Sequence, residues 1–447
     1  MGGINSPMQD ATYPPVSDPQ NGALPGLVKR QRVLEQYRRH VNIGLAKLND
    51  LMGLPLEIRS AGCLVFDEED NAYLDCGGYG VFLLGHCHPT VIAAVKAQLE
   101  RHPLSTRLLP SPELAQAAES LAGIAPEGLD FVYFTNSGAE ATEVGIKIAC
   151  LNGKSKLISM QRGFHGKTIG ALSVTGRLHY QHPFASLLPP VRFLPFGDID
   201  ALRKALIEEG DQACVILEPI QAEGGVRIPP VGYLRAVQDL CQRYGAFLIV
   251  DEIQTGMGRL GSWWGCERED VVPDVLLAGK SLSGGVVPVG AAVCKAAAYA
   301  PLNQDPLMHS STFAGNPLAM AAVQAAISVI AHENLLTRTR ELGEQLIGAI
   351  QQILAETCPD LVTAVRGLGL LIGIEFQADH LAGDFMLELL KQKVIVSHSL
   401  NAHRVMRLTP SALLTQAQCD WLLHAIREAA SALKQYAASI AVREEDL

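Results

Sequence analysis

The chain has 447 residues, 48% of them hydrophobic and 18% charged, with a formal net charge of −10. That length and composition fit a large cored domain with a smaller companion and exclude a disordered, solvating chain. The negative balance offers no broad attraction to nucleic acid or anionic lipid, so neither is an expected partner.

The opening stretch, MGGINSPMQDATYPPVSDPQNGALPG, has neither a charged leader nor an apolar segment, and reads as a flexible arm over residues 1–26, not a signal peptide. Val33, Leu34, Tyr37 and Val41 then recur at near-helical spacing among Arg, Lys and Glu, which predicts one amphipathic helix from Leu27 to about Leu51. Gly62–Phe66 and Ala72–Asp75, separated by the polar Asp67–Asn71, predict a short hairpin. No run approaches the roughly 18 apolar residues that span a bilayer. The ten cysteines are scattered through apolar stretches without C-x-x-C spacing, and read as reduced core thiols of a cytoplasmic protein. Cys87 sits between His86 and His88, but without distant partners the turn reads as structural, and no metal is expected.

Through the middle of the chain short apolar runs alternate with helical patterns, the mark of βα units and a mainly parallel sheet. The predicted strands are Phe131–Phe134, Lys156–Met160, Cys214–Leu217, Phe247–Val250 and Val275–Ala278, with helices over Ala139–Cys150 and Tyr233–Tyr244 among them. From Pro317 onward Ala/Leu-rich helices enclose one apolar run, Leu370–Phe376, which predicts a smaller α+β lobe. The fold class is therefore α/β.

Ligands of open parallel sheets collect beyond the carboxyl ends of the strands, so polar residues that follow apolar runs are the candidates for chemistry. After Phe134 comes Thr135-Asn136-Ser137-Gly138-Ala139-Glu140, a small turn at a helix start that either receives a phosphate or simply caps the helix. Glu218 and Asp251 each stand at a strand tip, where a carboxylate holds a cation or caps the next helix. Lys280 follows Val275–Ala278 and precedes a Gly-rich turn; it is either an amine nucleophile of lowered pKa or an ordinary solvated lysine. Phosphate turn, carboxylate and lysine on successive strands are together what pyridoxal phosphate requires.

At these residues the sequence resembles the class III pyridoxal-phosphate aminotransferases, the ornithine, acetylornithine, 4-aminobutyrate and putrescine group. The resemblance runs from about Leu56 to Leu433 through FTNSGAEATEVGIK, GFHGKTIGALSVTG, ILEPIQAEGGV, LIVDEIQTGMGRLG, PDVLLAGKSLSGG, HSSTFAGNPLA and MRLTPSALLT. It implies fold type I: a large cofactor domain over residues 76–318 with a mainly parallel seven-stranded sheet sandwiched by helices. A smaller α+β domain would be built from residues 27–75 and 319–447.

The resemblance further implies roles. Lys280 would be the Schiff-base lysine and proton shuttle, Asp251 the partner of the pyridinium nitrogen, and Gln254 a neighbour of the ring hydroxyl. Ser137, Gly138 and Ala139 match the phosphate turn, Phe164 the aromatic residue stacked on the ring, and His165 and Glu218 fall in cofactor-pocket motifs. Ser311 and Thr312 match the stretch that reaches the phosphate from a neighbouring subunit, which implies a homodimer with shared sites. Arg407 matches the arginine that takes a substrate carboxylate, and Glu223 the residue that masks that arginine when the substrate has none. Lys167 stands where ornithine and acetylornithine enzymes carry arginine. Here, around Tyr79 and in the SHSLNAHRVMRL stretch, the sequence is most similar to putrescine aminotransferases. The implied activity is transfer of an amino group between a primary amine or ω-amino compound and a keto acid.

Overall fold

The computed structural model of the chain describes residues 26–445. The arm expected over residues 1–26 lies, Gly26 apart, outside the described residues. Two compact units are formed, one running to Arg59 with Phe66–Asn71 added, the other made of Ser60–Val65 and Ala72 onward.

In the first unit two helices, α1 (Gly26–His40) and α2 (Ile43–Leu51), stand where one was expected. The break is at Asn42: its backbone is extended, and its side-chain oxygen accepts the Leu45 amide at 3.0 Å, starting a new helix. Arg30 donates to Leu54 O at 2.7 Å and Asn49 O at 2.8 Å, which folds the end of α2 back along α1.

The second unit is built on a sheet of seven strands: β1 (Leu129–Thr135), β2 (Lys156–Met160), β3 (Val191–Leu194), β4 (Ala213–Leu217), β5 (Phe247–Asp251), β6 (Val275–Ala278) and β7 (Gly290–Lys295). Their spatial order is β1-β7-β6-β5-β4-β2-β3, and β7 alone runs antiparallel to its neighbours. Strands β4, β5 and β6 are buried along their whole length, as in a sheet covered on both faces. The period-2 alternation assigns their residues: Val215, Leu217, Leu248, Val250, Leu276 and Ala278 pack into one core cluster. Cys214, Ile216, Phe247, Ile249, Val275 and Leu277 pack into the other. Helix α3 (Gly138–Leu151) closes the second face through Ala141, Val144 and Ile148, and α4 (Tyr233–Tyr244) closes the first through Leu234, Val237 and Cys241.

Two strands of this sheet were not singled out in the sequence. β3 is a four-residue, half-buried edge strand set between prolines 190 and 195. β7, GAAVCK, carries a single β-branched residue.

After α5 (Pro317–His332) and α6 (Leu335–Thr357) come β8 (Val362–Leu368), β9 (Leu371–Phe376), β10 (Ser397–Ser399) and β11 (Ala402–Leu408), forming an antiparallel sheet in the order β8-β9-β11-β10. Gly373 and Ser397 flank Arg407 in this register. Ala72–Asp75 is a strand as expected, with the Asp75 amide donating to Cys63 O at 2.9 Å, and it also pairs in parallel with Val394–Ile395. All ten cysteines are free; eight are buried as expected, while Cys87 and Cys150 are exposed. His86 and His88 turn away from one another's chemistry, His86 Nε2 lying 2.8 Å from Asp75 and His88 Nε2 3.2 Å from Glu333.

Candidate functional site

A cavity of roughly 200 Å³ opens where β4, β5 and β6 end. Its wall brings together Gly138, Ala139, Phe164, His165, Glu218, Glu223, Asp251, Gln254 and Lys280, nine of the residues expected at the site. Gly166, Ala222 and Ile253 complete the lining.

Asp251 and Glu252 are consecutive carboxylates at the tip of β5, and the strand pleat sends them opposite ways. Asp251 meets the cavity: Oδ2 lies 2.7 Å from His165 Nδ1 and Oδ1 accepts the Ile253 amide at 3.0 Å. Glu252 turns into the protein, where Thr255 and the amides of Gly265 and Cys266 bond it. Burial pulls the pKa of His165 down, but the Asp251 hydrogen bond and charge, helped by Glu218, outweigh it and raise the imidazole overall. Glu218 accepts the Phe164 amide at 3.1 Å and the Ala222 amide at 3.2 Å. Its burial dominates, with the Asp251 charge adding and His165 opposing, and its pKa is pushed up to about 7.

Lys280 begins the turn after β6 with a left-handed backbone, φ 46°. Enclosure lowers its pKa; the charge of Arg407 works in the same direction, while Glu223, Asp251 and Glu218 oppose it. The charges that act on the amine thus come from the ends of β4 and β5 and from the C-terminal sheet.

Ser137 caps α3 by accepting the Glu140 amide at 3.2 Å, so its side chain has the capping role that the sequence left open. The turn it starts is pressed against the β5 loop: a Cβ on Gly138 would meet Ile253 Cδ1 at 2.8 Å. A side chain there would push apart the two walls of the cavity.

Arg407 is fully buried, and its Nη1 lies 2.8 Å from Glu223 Oε1. The two form an ion pair by distance, yet Nε, Nη1 and Nη2 all lack an oriented hydrogen bond. Glu223 is held from elsewhere, with Oε2 accepting the Leu400 amide at 2.8 Å and its carbonyl accepting the Asn401 amide at 2.9 Å.

Six expected residues do not line the cavity: Ser137 and Arg407, described above, and Tyr79, Lys167, Ser311 and Thr312. Tyr79 is 57% exposed on a left-handed backbone. Lys167 is exposed, its Nζ 4.1 Å from the centre of the Tyr180 ring, a cation–π contact. Thr312 is exposed, and Ser311 accepts from Asn136 Nδ2 at 2.9 Å, beside the Ser137 turn. Ile253 and Gly166 were missed by the sequence reading. Ile253 is a lone apolar residue after the two carboxylates that end the strand, with no chemistry of its own to mark it; Gly166 has φ 125° and a Cβ there would lie 2.7 Å from Ala139 Cβ, a closeness that only the fold reveals.

Pyridoxal phosphate fits these residues on chemistry alone. Lys280 offers an amine of lowered pKa, and Asp251 a carboxylate already held on one side by His165. The buried Gln254 Nε2 and Oε1 and His165 Nε2 have no hydrogen-bond partner among the described residues, which marks the cavity as built for a polar group.

Comparison with known proteins agrees. Residues 51–430 match the family model described as aminotransferase class-III. The ornithine aminotransferase of Toxoplasma gondii ME49 superposes with a TM-score of 0.84 at 32% identity, over 91% of this chain and 96% of that one. An (S)-enantioselective omega-transaminase from Thermomicrobium roseum gives 0.82 at 27% identity, covering 90% and 98%. The acetylornithine aminotransferase of Elizabethkingia anophelis gives 0.75 at 29%, with the same coverage.

Proposed function

We propose, from the premise that this chain belongs to the class III aminotransferases and is a pyridoxal-phosphate-dependent aminotransferase, that it acts on a primary amine or ω-amino compound. The acceptor is a keto acid such as 2-oxoglutarate or pyruvate. The observation that carries this reading is the buried Glu223–Arg407 pair at 2.8 Å. With Glu223 against it, Arg407 is neutralised and a substrate without a carboxylate meets no unpaired cation. With Glu223 withdrawn, the unbonded guanidinium fork is available to a carboxylate. One site thereby serves an amine and a keto acid in turn.

Bound pyridoxal phosphate supplies a carbonyl carbon that receives the amino group and a protonated ring that draws electrons from the substrate carbon. In this reading Lys280 would hold the cofactor and, at Nζ, would carry the proton from the substrate's amine-bearing carbon to the cofactor's carbonyl carbon. A lowered pKa suits that work, because the neutral form of an amine is the base and the nucleophile. Asp251 would pair with the ring nitrogen and keep it protonated, with His165 fixing that carboxylate. Gln254 would take the ring hydroxyl, Phe164 would stack on the ring, and Ser137, Gly138 and Ala139 would receive the phosphate at the start of α3. Glu218, held by two amides, keeps the Phe164 segment in place.

Lys167 replaces the arginine of ornithine-type enzymes with a donor that cannot grip a distal carboxylate in bidentate fashion, and this favours a diamine over an amino acid. The chain is also proposed to work as a homodimer, with Ser311 and Thr312 serving the partner's phosphate and Tyr79 the substrate. The exposed Leu307, Met308 and Phe313 beside Thr312 support an interface there.

The test is optical. Diamines and amino acids are added to the yellow holoprotein, and conversion of the visible cofactor band is followed. Diamines convert it and a keto acid restores it. If ornithine converts it and diamines do not, the substrate assignment is wrong; if no amine converts it, transamination itself is ruled out.

A further inference from the structure

Arg259 follows Gln254 in the GMGRLG turn and has none of the roles given above. Its side chain is fully buried, and its hydrogen bonds go to backbone carbonyls: Nη1 to Leu370 O at 3.2 Å and Pro410 O at 2.5 Å, Nη2 to Gly80 O at 3.3 Å. Nε makes none. Burial draws its pKa down to about 9, with the charge of Arg407 adding and Asp75 opposing, so it stays a cation at neutral pH. A buried guanidinium without a carboxylate bound to it is costly, and a leucine or methionine would fill the same core at less cost. What the guanidinium provides is reach to three separate segments from one rigid plane.

Each segment bears on substrate binding. Gly80 belongs to the loop after Tyr79, and that loop is tied twice more: Ser281 Oγ bonds Gly80 O at 3.0 Å and Val81 O at 3.1 Å, while Thr409 Oγ1 bonds Gly77 O. The loop also presses on the cofactor turn, since a Cβ on Gly80 would lie 2.1 Å from Gln254 Nε2. Leu370 and Pro410 flank the open end of the β9–β11 pair, in which Ile372 stands opposite Leu408 and Gly373 opposite Arg407. Pro410 is only three residues beyond Arg407.

We propose that Arg259 is a positioning residue for substrate recognition, holding the Tyr79 loop and the Arg407 strand end in register with the turn that carries Asp251 and Gln254. The role rests on the reading of Arg407 as the carboxylate clamp. None of the three carbonyls belongs to a residue that lines the cavity, and two of them flank the strand end that carries Arg407, so the effect expected is on substrate binding. A small shift of a clamp is costly, and that cost falls on KM when the chemistry itself is untouched.

The test uses holoenzyme carrying Arg259→Lys, which keeps the charge without the fork, Arg259→Met, which removes both, and Thr409→Val, which cuts only the tie to Gly77. The last keeps the question open to measurement should Arg259→Met not fold. The expected result is retained visible absorbance with KM for the keto acid raised about tenfold in Arg259→Met, less in Arg259→Lys and about twofold in Thr409→Val, at nearly constant kcat. A fall in kcat at constant KM, loss of the cofactor band in Arg259→Lys, or wild-type KM in both Arg259→Lys and Thr409→Val overturns the proposal. Arg407→Met is measured alongside. If it leaves the keto-acid KM unchanged, the clamp reading falls and this role with it; if it raises KM while the Arg259 and Thr409 variants do not, only the positioning role falls.

Discussion

The two sides of the cavity are held in different ways. On the cofactor side, the charged groups are held by short, oriented hydrogen bonds: Asp251 to His165 at 2.7 Å, and Glu218 to the backbone amides of Phe164 and Ala222. These residues come from neighbouring strand tips and the loops just beyond them, so the sheet itself sets their spacing. On the substrate side Arg407 and Glu223 are close but not oriented toward one another, and they come from the C-terminal sheet and a loop after β4. Fixed groups suit a cofactor that stays, and a loosely oriented pair suits substrates that alternate. Substitutions on the first side should therefore cost turnover, and those on the second should redistribute affinity.

The largest effect is expected at Lys280. Lys280→Ala should lower turnover by about 10⁴-fold, measured in a coupled transaminase assay, with the far-ultraviolet circular dichroism unchanged. Asp251→Asn keeps the shape and removes the charge, and should cost about 10²- to 10³-fold in kcat; a change confined to KM would place Asp251 on the substrate side instead.

Glu218 gives a pH-dependent signature of the cofactor side. Its pKa is about 7 in the folded protein against an ordinary 4.5, so the folded state binds this proton more tightly than the unfolded chain. The resulting stability is complete below 4.5 and is lost as pH rises through about 7. The raised His165 works with the same sign. Urea unfolding of the wild type should weaken across that window, and Glu218→Gln should flatten the slope by at most about tenfold in the unfolding constant per pH unit, leaving the His165 part. The smallest effect is expected at the exposed Lys167, where Lys167→Ala should change stability by no more than about 0.5 kcal/mol and shift only the relative KM values of diamines and amino acids.

The same division governs what the sequence disclosed. Lys280, Asp251 and Glu218 were legible because each ends an apolar run, and a parallel sheet gathers strand ends at one edge. The alternation that sends Asp251 to the cavity and Glu252 inward is implicit in the strand period, although only the fold fixes its phase. Arg407 and Glu223 lie 184 positions apart by their numbers, 407 against 223, and no local pattern joins them; the family resemblance supplied that pair. Nothing local foretold Arg259 either, since its partners are carbonyls of Gly80, Leu370 and Pro410, and a carbonyl has no signature in sequence. The helix break at Asn42 was missed because the apolar spacing continues across it.

The alternating clamp is tested most directly by following the two half-reactions separately in Glu223→Gln, by the visible cofactor band under single-turnover conditions. With Arg407 no longer neutralised, conversion by a diamine should slow by about tenfold or more while the return half-reaction with a keto acid keeps its rate or gains. Equal slowing of both half-reactions, or no slowing with the diamine, would contradict a maskable Arg407.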